Sequence, residues 1–79
     1  MNGNWQPVTP LEGFVASFER GEFVAAAKRS EPGFSWHVFR RLEDGSLDST
    51  GFGNWAETSE SPNVEGLKQW ADGQISKAG

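Results

Sequence analysis

His37 is the chain's single histidine, and there is no cysteine. Neither a histidine pair nor a thiolate set can therefore hold zinc, and no spacing marks a site built from one histidine and carboxylates. Serines, threonines and acids are plentiful enough to suggest a nucleophilic triad with His37. No nucleophile elbow is present, however, and a chain this small offers few places for a deep, water-excluding pocket. His37 reads instead as a strand residue on the less buried face. Glu43, Asp44 and Asp48 surround Gly45, yet a calcium loop needs carboxylates at alternating positions and a closing glutamate, which this stretch lacks. A hairpin turn with solvated acids accounts for them. Gly51-Phe52-Gly53 has neither the lysine nor the immediately following helix of a phosphate cradle. No catalytic residue, metal or cofactor is assigned, and the chain reads as a non-enzyme.

Two groups of residues suit binding. The first is acidic: Glu43, Asp44, Asp48, Glu57, Glu60, Glu65 and Asp72, with Trp55 among them. Spread over a turn, a strand, a loop and a helix start, such acids can form one negative surface that steers the domain onto a basic partner. Ordinary solvation of a polar surface is the plainer explanation, and for Trp55 it is a place in the core under the helix. The second group is His37, Phe39 and Arg41, which could stack and pair with single-stranded nucleic acid on an open sheet face. Neighbouring strand residues point to opposite faces, so Arg40 and Arg41 make no single patch, and acids are interspersed with the bases.

These residues must be positioned by a small sheet and one helix. From Gly13 the pattern alternates, with Phe14, Ala16 and Phe18 on one strand face, and Arg20-Gly21-Glu22 reads as a turn. Phe23 to Arg29 follows as a second strand, despite its three alanines, and Ser30-Glu31-Pro32-Gly33 as a loop. Phe34 to Arg41, with Trp36, Val38 and Phe39, is the strongest strand. Glu43-Asp44-Gly45-Ser46 suits a type I′ hairpin, and Leu47 to about Trp55 gives a weaker fourth strand, with a bulge at Gly51 and Gly53. Val64, Leu67, Trp70, Ala71 and Ile75 recur at helical spacing, with Ser61 as N-cap and Pro62 in the first helical position.

The expectation is an α+β fold over residues 1–79: an irregular N-terminal arm (1–12, with Pro7 and Pro10), an antiparallel β-meander of three to four strands (13–58), and one C-terminal helix (62–76) on one face. Either the arm covers the second face with Trp5, or that face is an interaction surface. At 79 residues without cysteine, stability must come from packing, carried largely by four tryptophans and six phenylalanines.

Net charge is −4, but unevenly placed: the first 41 residues carry five bases and four acids, the remainder two bases and seven acids. The balance disfavours a non-specific grip on nucleic acid or an anionic membrane, and no apolar run or leader pattern points to membrane or export. A soluble, cytoplasmic protein is the expectation, its oligomeric state open.

The function expected is non-enzymatic protein binding, with Glu43, Asp44, Asp48, Trp55, Glu57 and Glu60 meeting a basic surface on a larger protein. The alternative is a single-stranded nucleic-acid module using His37, Phe39 and Arg41. In size, acidity and lack of catalytic machinery the chain resembles the small inhibitors that bacteriophages encode against host nucleic-acid enzymes, such as anti-CRISPR proteins and other mimics of nucleic-acid charge. That resemblance is one of character, carried by no motif, and it implies occlusion of a basic groove by carboxylates standing in for phosphates.

Overall fold

Alternating side chains and glycine-bearing turns produce an antiparallel sheet that a single helix covers. The computed structural model describes residues 5–78. Its elements are β1 (Gln6–Val8), β2 (Ala16–Arg20), β3 (Phe23–Ser30), β4 (Gly33–Arg41), β5 (Leu47–Asp48), β6 (Asn54–Glu57) and α1 (Val64–Ala78). The fold is α+β, with strand order β1-β2-β3-β4 and both β5 and β6 on the far side of β4. β5 lies against Arg40 and Arg41, whereas β6 lies against Phe34 to His37.

The sheet is larger than the three or four strands expected. Part of the arm is itself a strand: Gln6, Pro7 and Val8 pair with Glu19, Phe18 and Ser17. Proline lacks a donor and so is tolerated at a sheet edge, which is where β1 sits. Residues 1–4 of the expected arm lie outside the described residues. The fourth strand is split in two, because residues 49–53 leave the ladder between β5 and β6. Phe14 precedes β2 instead of sharing its face with Ala16 and Phe18, and its N–H donates to Leu11 O in a turn through left-handed Gly13.

Turn chemistry follows the glycines. Gly21 (φ 62°) opens the two-residue β2–β3 connection. Gly45 (φ 87°) closes the β4–β5 hairpin, in which Gly45 N–H donates to Leu42 O and Leu42 N–H to Ser46 O. Asp44 does not share a positive φ, so this is a three-residue hairpin with a left-handed glycine and not type I′. Gly33 needs no positive φ; it begins β4, and a Cβ there would collide with the Glu57 backbone of β6.

The helix starts two residues later than expected. Asn63 caps it, its Oδ1 accepting from Gly66 N–H at 3.1 Å while its carbonyl receives Leu67 N–H. Asn63 thus takes the role expected of Ser61, and Pro62 stays outside the helix. Leu67 and Ala71 are fully buried against β3 and β4, where Ala25, Ala27, Trp36 and Val38 complete the core with Trp5. Small side chains on β3 let the helix approach closely and leave volume for the tryptophans.

Trp5 belongs to this helix-side core and not to the second face. Its Nε1–H donates to Asp72 Oδ1 at 3.0 Å, Arg20 pairs with the same oxygen, and the guanidinium lies 4.9 Å from the Trp5 ring. The second face is covered in part by Phe14, edge-on to His37 at 5.7 Å and to Phe39 at 6.1 Å. Beneath it Ser17 is buried and accepts Leu11 N–H at its hydroxyl, which ties the preceding loop down.

Candidate functional site

Every acidic residue singled out between Glu43 and Glu60 falls along one edge of the sheet. Glu43 and Asp44 occupy the hairpin tip, Asp48 ends β5, Glu57 ends β6 and Glu60 follows it. Between Leu42 and Asn63 there are five carboxylates and no lysine or arginine. The acids form a strip and not a compact patch, since the hairpin and Glu60 lie at opposite ends of nine-residue β4, about 30 Å at the strand rise. Asp72, counted with the acidic half, faces Trp5 and Arg20 and is a structural carboxylate.

Within the strip the carboxylates differ in what they do. Asp44 accepts from Ser46 Oγ at 2.6 Å and Ser46 N–H at 2.9 Å, and these bonds hold its carboxyl below the usual range. Asp48 does the same with Thr50 Oγ1 at 2.7 Å and Thr50 N–H at 3.2 Å. Asp44 is an exposed charge and Asp48 a partly exposed one, each fixed by its own turn. Glu57 is different, for its Oε2 accepts from Trp36 Nε1 at 2.7 Å and from Asn63 N–H at 3.1 Å, with Ser59 Oγ on Oε1 at 2.9 Å. Burial acts to raise its pKa, but the Asn63, Trp36 and Ser59 bonds outweigh it and hold the carboxyl below the usual range. It stitches β4, β6 and the helix start together, a role no local sequence signal announced.

Trp55 projects from the middle of this edge. It pairs with Trp36 across β4 and β6, the rings 6.4 Å apart and tilted by 33°, while Trp70 meets Trp36 from the helix at 5.9 Å. Trp36 is buried and Trp55 is 54 % exposed, so Trp55 is not the core residue that one reading of the sequence made it. An exposed indole on a buried aromatic base is held in position at little further entropic cost on binding.

The nucleic-acid alternative places His37, Phe39 and Arg41 on the opposite face, where the structure does bring them onto one side of β4. Phe14 packs on the first two, His37 stacks with Phe39 at 6.3 Å, and Arg41 pairs with Glu19. Burial, and then the nearby charge of Lys28, lowers the His37 pKa; Ser35 Oγ lies 2.9 Å from its Nε2. At the far end of the sheet an open recess of about 360 Å³ is lined by Arg29, Pro32, Thr58, Ser59 and Glu60. Among the described residues no three His, Asp or Glu side chains converge as metal ligands would, and no helix is long and apolar enough to cross a membrane.

No protein-family model, curated protein or solved structure matches the chain.

Proposed function

We propose that the chain is a non-enzymatic, cytoplasmic protein-binding module that sets its β5–β6 edge against a basic surface of a larger protein. The observation that carries this reading is Trp55, half exposed on a buried tryptophan, in the middle of a segment that brings five carboxylates and no lysine or arginine of its own to the edge, Arg40 beside Asp48 and Arg29 beside Glu60 coming from the strands behind. Charge accelerates encounter, and a desolvated aromatic prolongs the complex. An inhibitor that occludes a nucleic-acid-binding groove, as the phage-encoded charge mimics do, is the concrete form that fits: fixed carboxylates such as Asp44 and Asp48 stand where phosphates would.

The test begins with affinity capture from the native host, with and without nuclease. A partner retained after nuclease is then measured against Glu43→Gln, Asp44→Asn, Asp48→Asn and Glu60→Gln combined. Glu57 is kept because Trp36 depends on it. The association rate should fall about tenfold or more at low salt, and by less near physiological ionic strength, where the Debye length is about 8 Å. Trp55→Ala should mainly quicken dissociation. Unchanged binding at every salt concentration overturns the reading, and a partner lost on nuclease treatment favours the nucleic-acid alternative.

A further inference from the structure

The two sides of this sheet end differently. On one side β1 has three residues with Pro7 in the middle, so a donor is missing where another strand would pair. On the other side β6 runs in unbroken register with β4 from Asn54 to Glu57, with no proline and no lysine. Asn54, Trp55 and Ala56 are exposed. In an antiparallel pair every second residue of the outer strand turns its N–H and C=O away from its neighbour. β6 therefore offers main-chain donors and acceptors to solvent beside the exposed Trp55 ring.

From this we infer that β6 is an acceptor strand: a partner binds by laying an extended, lysine- or arginine-bearing segment along it as a further strand of the sheet. The inference rests on the protein-binding reading above and specifies its chemistry. Main-chain hydrogen bonds supply the pairing, and alternate side chains supply selection. A residue of the added strand on the helix side stands beside Trp55, where a cationic side chain can lie over the indole. Cations elsewhere on the segment meet Asp48 and Glu60 on either side of β6. A second copy is a poor occupant, because β6 carries no lysine or arginine to set against the acids of another β6, and β6 against β1 meets Pro7.

The probe is the acetylated, amidated pentapeptide Lys-Val-Lys-Val-Lys, compared with the same peptide N-methylated at every residue and with its Glu-Val-Glu-Val-Glu counterpart. The methylated form keeps charge and side chains but has no N–H on any of its five residues, the terminal carboxamide alone keeping donors. Titration followed by amide NMR and hydrogen exchange should show saturable binding of the parent peptide, with alternate amides between residues 54 and 57 exchanging about tenfold more slowly or better. The methylated and acidic peptides should bind about tenfold more weakly or not at all, and Trp55→Ala should weaken the parent.

Equal affinity for parent and methylated peptides, shifts centred away from β6, or no saturable binding overturns the added strand. The wider reading fails separately: it falls if the captured partner binds the charge-neutralised variant as well as the parent. A partner that needs the carboxylates while β6 amides stay unprotected leaves protein binding standing and removes the strand.

Discussion

Trp36 donates its indole N–H to Glu57 at 2.7 Å, and that bond turns one carboxylate of an otherwise outward acidic edge into the joint between β4, β6 and the helix. Removing the acceptor strands a donor on a residue that is only 7 % exposed. Glu57→Ala should therefore destabilise the fold by about 1–3 kcal/mol, with Glu57→Gln milder because an amide oxygen can still accept. Denaturant melts followed by tryptophan fluorescence measure both. Since the folded pKa of Glu57 lies below the ordinary 4.5, its contribution is fully present above that value and is lost as pH falls through the folded pKa.

Two glycines should respond in opposite directions. A Cβ on Gly33 meets the Glu57 backbone and lies 2.8 Å from Thr58 Cα, whereas one on Gly73 meets nothing within 4 Å. Gly33→Ala should cost about 1–3 kcal/mol by forcing β4 and β6 apart. Gly73→Ala, inside the helix, should stabilise by about 0.5–1 kcal/mol. Thermal melts of the pair decide this, and equal shifts would show that the β4–β6 spacing is not the constraint.

Leu67 is fully buried at the centre of the helix–sheet contact. Leu67→Ala should destabilise by about 2–5 kcal/mol. A change within about 0.5 kcal/mol in urea would be the value expected of a surface position and would contradict the packing described.

His37 supplies a pH dependence of its own. Its folded pKa is below the ordinary 6.5, by burial and by Lys28, so between the two values the unfolded chain binds more protons. Stability should then rise with pH through that window and be complete above 6.5. Acidification from neutrality should lower the melting temperature, and His37→Gln should remove that part of the slope. An unchanged slope in the variant would assign the titration to another group.

Much of the fold was legible because it rests on local periodicity. The alternation in residues 34–41 and the stripe of Leu67, Trp70, Ala71 and Ile75 each state their element within a few residues. What escaped depends on partners distant in sequence. Pro7 argued against a strand until β2 offered it an edge, and Ser61-Pro62 looked like a helix start until Glu57 bound the Asn63 N–H. The acidic residues were found as residue types. Their arrangement as one edge came from β5 and β6 both pairing with β4, which no spacing encodes, and the exposure of Trp55 follows from the place of β6 as the outer strand beyond Trp36.

The bond from Trp5 to Asp72 spans 67 positions of chain. Its ordering in time follows from its ordering in space: strands β2 to β4 can pair as soon as each emerges during synthesis, but β1 cannot be locked down until the segment beyond Asp72 has been made. The helix both covers the sheet and, through Asp72, fastens Trp5 beside β1, so a change that loosens one of these contacts loosens the other.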